Sequence, residues 1–165
     1  IMVHLAPYAV DIGISAIVAA GILSMVPATS VIGRFSMGFI CDKIGARRAL
    51  TACLVTLTLG LIWLLFVKEI WMFYVFAVAF GGVYGGIISL QSLIPAELFG
   101  LSSLGIVFGS LMFCGTIGGA LGPPLAGSIF DVTGSYSLAL LICVVIGAVA
   151  LILSLILLKA KGGGD

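Results

Sequence analysis

Five long apolar runs, separated by short polar breaks, make up most of this chain. Each run reaches the ~20 residues that an α-helix needs to cross a hydrocarbon core about 30 Å thick. The runs cover about residues 15–40, 49–67, 70–94, 102–130 and 136–158. Lipid offers no hydrogen-bond partner to an open backbone, so every run is predicted to be helical. A membrane β-barrel would need alternating segments of about ten residues, and the sequence contains none.

The composition excludes an ordinary soluble domain. Hydrophobic residues make up 62% of the chain and charged residues 8%, against about 45–50% and about 25% in soluble proteins. A net charge of +1 leaves no basic surface for nucleic acid. Four scattered cysteines and one histidine provide no metal-ligand spacing. We therefore expect a multi-pass integral membrane protein that contacts the lipid bilayer, with no nucleic-acid partner, no metal and no cofactor.

The predicted fold is an all-α polytopic helix bundle with five full transmembrane helices. Residues 1–5 look like the tail of a sixth helix that precedes them, and the chain begins with Ile1 rather than methionine. Residues 1–165 are therefore interpreted as a fragment in which the start of the first helix is missing.

Lysine and arginine residues predict the orientation of the bundle. If the chain weaves across the membrane, one side receives five of them and the other side receives Lys68 alone. The five are Lys43, Arg47, Arg48, Lys159 and Lys161. Because cytoplasmic loops carry the excess of basic residues, we expect the C-terminus in the cytoplasm and residues 1–14 outside, in the cell membrane.

The first polar break holds the most specific motif of the chain. A basic turn between two helices accounts for its arginines, but not for an aspartate placed between two glycines. An aspartate there can cap the N-terminus of a neighbouring helix, where free amides and the helix dipole favour an anion. The motif reads Gly38-x-x-x-Asp42-Lys43-x-Gly45-x-Arg47-Arg48.

This motif resembles the signature loop of the major facilitator superfamily, which stands between helices two and three and recurs between helices eight and nine. The likeness covers nearly all of the chain. It implies helices seven to twelve, the carboxy-terminal half of a twelve-helix transporter that works by alternating access. The missing amino-terminal six-helix half is then a partner, since the substrate binds between the two halves.

The same resemblance implies a gating role for the motif. Asp42 would hold the cytoplasmic end of helix eleven, and Arg47 or Arg48 would pair with Glu97. An exposed ion pair with no gating role, worth about 0–1 kcal/mol, is the alternative. The predicted gating residues are Gly38, Asp42, Lys43, Gly45, Arg47, Arg48 and Glu97.

Arg34 lies inside the first apolar run, eight residues before Asp42 and so about 12 Å away along a helix. A charge near the bilayer midplane costs at least ~2.5–3.5 kcal/mol. A guanidinium that faces a cavity matches a carboxylate, so Arg34 is predicted to bind an anion. Pairing with an acid of the missing half, or with carbonyls, is the alternative.

Three further residues join Arg34 as predicted substrate-binding residues. Ser30 stands one turn away on the same face, and Tyr84 and Gln91 share a face of the third run. Bonds from Tyr84 and Gln91 to neighbouring helices are the alternative. His4, near the outer side, is interpreted as an interfacial residue, with contact to substrate or protons as the alternative.

The segments His4–Gly13 and Gly33-Arg34-Phe35 resemble the monocarboxylate and oxalate–formate branch of the superfamily. In that branch an arginine of helix eight contacts the substrate carboxylate. The resemblance implies secondary active transport of a small organic anion, a monocarboxylate, with a coupling proton as a further candidate ligand. Many members have an aspartate one turn earlier, where this chain has Ser30, so proton coupling through that position is in doubt.

Other functions compete with this one. A drug or sugar carrier of the same superfamily and a non-transporting membrane subunit are the alternatives. The runs hold no paired carboxylates, no serine with a base and no histidine cluster, so we do not expect an enzyme. Glycine pairs spaced by four residues predict close helix packing. They are Gly81/Gly85, Gly82/Gly86, Gly105/Gly109, Gly115/Gly119 and Gly118/Gly122.

Overall fold

The computed structural model describes residues 2–159, and this part of the chain forms six α-helices and no strand. The helices are α1 (Met2–Asp11), α2 (Ala16–Ile44), α3 (Ala46–Leu65), α4 (Ile70–Phe99), α5 (Leu104–Thr133) and α6 (Ser137–Lys159). Helices α2 to α6 are long and apolar enough to cross a membrane. The prediction of an all-α bundle, with five spans behind a short helical tail, is confirmed.

The helices extend beyond the apolar runs at three of the polar breaks. Helix α2 continues through Asp42 and Lys43 to Ile44 and α3 starts at Ala46, which leaves only Gly45 between them. Helix α4 continues through Pro95 to Phe99, and α5 continues to Thr133. Charged side chains near a helix end can reach water without interrupting the backbone. A fall in hydropathy therefore marks the membrane surface rather than the end of a helix.

Glycines with positive φ set three of the helix ends. The φ angles of Gly45, Gly100 and Gly134 are 84°, 76° and 67°. The N–H of each donates to the carbonyl four residues earlier, at 2.8, 3.1 and 2.7 Å respectively. Residues with a Cβ rarely adopt this backbone conformation, so the chain turns out of the helix where glycine permits it.

The bundle is organised around two helix pairs. Helix α2 packs mainly against α4, and α3 packs mainly against α6. Ile22, Val26, Leu64 and Phe73 are fully buried in the main apolar core. A second core joins the C-terminal part of α2 to α3 and α4, and contains Met37, Cys41, Cys53 and Leu90. In the α3–α6 pair, the hydroxyls of Thr51 and Ser154 lie 2.7 Å apart.

We call the end of the bundle that carries Gly45, Gly100 and Lys159 the basic end. The opposite end carries the breaks after α1, α3 and α5.

Helix α5 is the exception in this bundle, because none of its residues is buried. Its glycines were expected to pack closely against another helix. A Cβ added at any of them except Gly127 would meet nothing within 4 Å. Within residues 2–159, the prediction of close packing is therefore wrong for the α5 glycine pairs, since contacts of α5 with α1, α4 and α6 are sparse.

Candidate functional site

Glycines bring the backbones of α2 and α4 into direct contact. A Cβ at Gly33 would overlap the backbone of Gly82, and a Cβ at Gly85 would overlap the backbone of Ser30. A Cβ at Gly81 would overlap the Thr29 side chain and the Val26 carbonyl. The predicted close packing of the α4 glycines is confirmed, and it fixes how the two helices are turned relative to each other.

Arg34 lies on the side of α2 that faces away from α3. Ile32 and Ser36 line a groove between α2, α3 and α4, together with Ala52 and Thr56 of α3. Arg34 is two residues from Ile32 and two from Ser36. At 3.6 residues per turn this spacing corresponds to about 200° around α2, so Arg34 points away from the groove. Its side chain is exposed. Among residues 2–159, no carboxylate lies within the 4.0 Å of an ion pair with its guanidinium.

Tyr84 and Gln91 lie on the same side of the α2–α4 pair as Arg34. Gly82 lines the groove that faces α3, and Tyr84 follows it by about 200° on α4. Seven residues separate Tyr84 from Gln91, which brings them within about 20° of one face. Gly85 contacts Ser30, and Gly86 contacts Met37. Along the bundle axis, Arg34 therefore lies at a height between Tyr84 and Gln91. Helical geometry therefore puts these three predicted residues on one side of the α2–α4 pair.

The fourth predicted residue, Ser30, lies elsewhere. It is 5% exposed and packs in the contact between α2 and α4. Its hydroxyl donates to the carbonyl of Pro27 at 2.8 Å. The interpretation of Ser30 as a neighbour of Arg34 in the same site is therefore corrected. The two residues differ by about 40° around the helix, and that is enough to put Ser30 under the glycines of α4.

Tyr84 and Gln91 keep their polar groups free in the described part of the chain. The Tyr84 ring stacks on Phe80 with a centroid distance of 6.0 Å, and the side chain is 39% exposed. Neither the Tyr84 hydroxyl nor the Gln91 amide makes a hydrogen bond within residues 2–159. These groups can therefore hydrogen-bond a polar solute beside the guanidinium.

The motif residues lie at the basic end of the bundle. Gly38 is exposed in α2, and Asp42 and Lys43 are exposed in its last turn. The Lys43 ammonium lies 4.3 Å from the centre of the Phe39 ring, within cation–π range. Within residues 2–159, Asp42 makes no hydrogen bond or ion pair, so the structure does not bring it to α5.

Arg47 and Glu97 form an ion pair between the first turn of α3 and the last turn of α4. Arg47 Nε lies 3.4 Å from Glu97 Oε1. The Nε atom is buried and makes no aligned hydrogen bond, so the contact is electrostatic. The structure brings Arg47, rather than the exposed Arg48, to the predicted acid.

The groove between α2, α3 and α4 is a concave surface that sequence reasoning missed. It has a volume of about 440 Å³ and an almost entirely apolar lining. The hydroxyls of Ser36 and Thr56 both donate to carbonyls of their own helices. The groove therefore lacks free polar groups and does not suit a charged solute.

Comparisons with known proteins identify the fold family. The model of the Major Facilitator Superfamily matches residues 1–164. The chain belongs to the Major Facilitator Superfamily. Monocarboxylate transporter 12 of Rattus norvegicus is 30% identical over 147 residues, which are 87% of this chain and 30% of that protein. Monocarboxylate transporter 7 of Homo sapiens is 29% identical over 145 residues, covering 85% of this chain and 28% of its own length.

A fungal relative carries a different name. Agnestins efflux protein AgnL12 of Paecilomyces divaricatus is 28% identical over 160 residues, which are 94% of this chain and 36% of that protein. The chain spans about 30% of the length of the monocarboxylate transporters that it matches.

A second polar cluster of this superfamily member lies towards the opposite end and centres on His4. His4 Nε2 lies 2.9 Å from the carbonyl oxygen of Pro123, and Nδ1 lies 3.3 Å from the hydroxyl of Tyr136. Burial raises the pKa of the Tyr136 hydroxyl, and the nearby Asp11 and Asp131 raise it further. Sequence pattern alone predicts an interfacial position for His4. Its partners are separated from it by 119 and 132 positions, so no local pattern reveals the cluster.

Proposed function

We propose that this chain is part of a secondary active transporter that carries a small organic anion, a monocarboxylate, across a membrane by alternating access. The exposed Arg34 carries this proposal. A guanidinium within a membrane-spanning helix costs at least about 2.5–3.5 kcal/mol. Since Arg34 has no carboxylate partner among residues 2–159, a visiting anion would offset that cost.

The neighbourhood of Arg34 supports a carboxylate as the ligand. The guanidinium fork can donate two parallel hydrogen bonds to the two oxygens of a carboxylate. The Tyr84 hydroxyl and the Gln91 amide would then bind the remainder of a short polar solute. The names of the curated relatives, monocarboxylate transporters 12 and 7, point to the same class of substrate.

The basic end supplies the proposed orientation and gate. It carries Lys43, Arg47, Arg48 and Lys159, so by the positive-inside rule we expect it to face the cytoplasm, with the protein in the cell membrane. There the Arg47–Glu97 pair and the exposed Asp42 are the groups that would engage an amino-terminal half of the transporter.

Uptake of labelled lactate by the intact transporter in proteoliposomes tests the proposal. We expect Arg34→Gln to abolish uptake. Arg34→Lys keeps the charge but loses the bidentate fork, so we expect at least a tenfold loss, which corresponds to about 1.4 kcal/mol. We expect Gln91→Ala to raise KM for lactate. Ser30→Ala should leave KM unchanged, because Ser30 lies outside the proposed site.

Lys68→Gln is the matched control, because it removes one positive charge from an exposed residue between α3 and α4. We expect normal uptake from this variant. Lactate uptake by Arg34→Gln equal to that of Lys68→Gln would remove Arg34 from the site. Transport of neutral solutes without competition from any carboxylate would overturn the anion assignment.

Export of a larger organic compound is the second candidate, and the similarity to an efflux protein favours it. Lactate exchange separates the two functions. Proteoliposomes loaded with lactate should release it against unlabelled external lactate if the first proposal holds. A carrier built for export alone of a larger compound would show no such exchange.

A further inference from the structure

The His4 ring is held by two other segments of the chain at once. A carbonyl oxygen can only accept a hydrogen bond, so the bond to Pro123 places a hydrogen on Nε2. In the neutral ring, Nδ1 then carries a lone pair and accepts the Tyr136 hydroxyl. One nitrogen therefore remains available for a proton, and it faces a hydroxyl that can deliver one.

We propose that His4 and Tyr136 form the proton-binding site of this transporter, with Nδ1 of His4 as the atom that takes the proton. The inference rests on the proposed function and names the coupling ion and the residue that binds it. Imidazole is the side chain whose ordinary titration falls between about pH 5 and 8.

The transfer balances without any further reagent. The Tyr136 hydroxyl hands its proton to Nδ1 and receives another from a hydronium ion on its other side, which is left as water. The histidine becomes an imidazolium, and Tyr136 stays a neutral hydroxyl that now accepts a bond from Nδ1–H. The bond from Nε2–H to Pro123 persists in both states. A cavity of about 40 Å³ lies beside His4 and Tyr136, and that is enough room for water.

The positions of the carboxylates favour His4 as the proton-binding residue. Every carboxylate among residues 2–159 lies in a break or in the last turn of a helix. His4 lies seven residues before the end of α1, about 10 Å along the helix. Tyr8 and Cys143 line the same cavity as His4, and Asp11 and Asp131 lie close enough to Tyr136 to raise the pKa of its hydroxyl. The two carboxylates would attract protons to the entrance of the site.

The hydrogen bond between His4 and α5 can couple protonation of His4 to movement of that helix. Helix α5 has no buried residue, and its other side-chain hydrogen bonds stay within the helix or its C-terminal turn. Among residues 2–159, the bond from His4 to Pro123 is therefore the side-chain hydrogen bond that ties α5 to another helix. A charge on His4 changes the strength of that bond and so the position of α5.

Direct observation of the ring tests the site without any transport measurement. Histidine side chains of the ¹⁵N-labelled intact protein in nanodiscs are followed by NMR from pH 5 to 8, and the His4 signal is the one that His4→Gln lacks. We expect the acid form of the His4 ring to carry hydrogens on both nitrogens, and Tyr136→Phe to change the Nδ1 signal. A ring that stays neutral throughout would overturn the proposal.

Transport then tests the coupling. An inward proton gradient should stimulate lactate uptake by the unmodified protein. The accompanying acidification of the vesicle interior is followed with an enclosed pH-sensitive dye. In His4→Gln, the glutamine amide can replace both hydrogen bonds but cannot take a proton. We expect it to lose the stimulation and the acidification while lactate exchange stays detectable. Tyr8→Phe is the control, because the Tyr8 hydroxyl donates to Leu64 and not to His4; it should keep the stimulation.

The outcomes separate the two proposals. If His4→Gln responds to the gradient as the unmodified protein does, the coupling proton binds elsewhere and this inference is wrong. If the unmodified protein neither takes up nor exchanges lactate, the proposed function fails, and the NMR titration still decides whether His4 and Tyr136 bind a proton.

Discussion

Arg47 Nε lies 3.4 Å from Glu97 Oε1, and this contact ties the start of α3 to the end of α4. The Arg47 side chain is 13% exposed and the Glu97 side chain 40% exposed. An ion pair that is this accessible to water on one side contributes about 0–1 kcal/mol to stability. Its effect should therefore appear in the movement of the basic end more than in unfolding.

We expect Arg47→Gln and Glu97→Gln each to lower the rate of lactate uptake, with little change in the melting temperature. Reversing the pair, as Arg47→Glu with Glu97→Arg, should recover part of the lost rate, because the attraction is restored. Arg48→Gln serves as the matched control, since the structure gives this exposed arginine no such partner within residues 2–159. If the reversed pair is no better than the single variants, the contact has no role in transport.

The glycine contact between α2 and α4 predicts opposite effects for two similar substitutions. In Gly85→Ala the new methyl group would overlap the Ser30 backbone, so we expect a loss of about 1–3 kcal/mol. In Gly109→Ala the methyl group would meet nothing within 4 Å, and alanine favours the helix by up to about 1 kcal/mol. Thermal unfolding in detergent measures both. Equal melting temperatures would show that the two backbones are further apart than described.

Burial and two carboxylates raise the pKa of Tyr136 above its ordinary value of 10.0, which predicts a loss of stability at high pH. The folded state holds the phenol proton more tightly than the unfolded state does. Its contribution is therefore complete below about pH 10 and declines as the pH rises through the raised pKa. We expect the melting temperature of the unmodified protein to fall more steeply above about pH 10 than that of Tyr136→Phe. Parallel curves for the two proteins would contradict the assignment.

The number and type of the helices could be predicted because lipid leaves few choices for an apolar run of about 20 residues. The helix ends could not be predicted, because a fall in hydropathy marks the membrane surface and not the end of a helix. Gly45, Gly100 and Gly134 were visible in the sequence, and each ends its helix in a positive φ. A search for glycine just beyond each run would have placed these ends correctly.

The candidate site was only partly predictable. Helical spacing grouped Tyr84 with Gln91 on one face of α4, and hydropathy singled out Arg34. Ser30 was misplaced, because spacing alone does not reveal which neighbouring helix covers a face. The glycines of α4 cover Ser30 and leave Arg34 exposed. The partners of His4 depend on tertiary contacts more than a hundred positions apart, which no periodicity encodes.

The one-residue connection at Gly45 has a consequence for biogenesis. Helix α2 has 29 residues and α3 has 20, and because a single residue joins them we expect the two helices to enter the bilayer together as a hairpin. The guanidinium of Arg34 then enters the bilayer in the company of an entire second apolar helix, whose favourable partitioning offsets the penalty of the charge. With a longer connection, α2 could insert into the bilayer before α3. The charge of Arg34 would then oppose the insertion of α2.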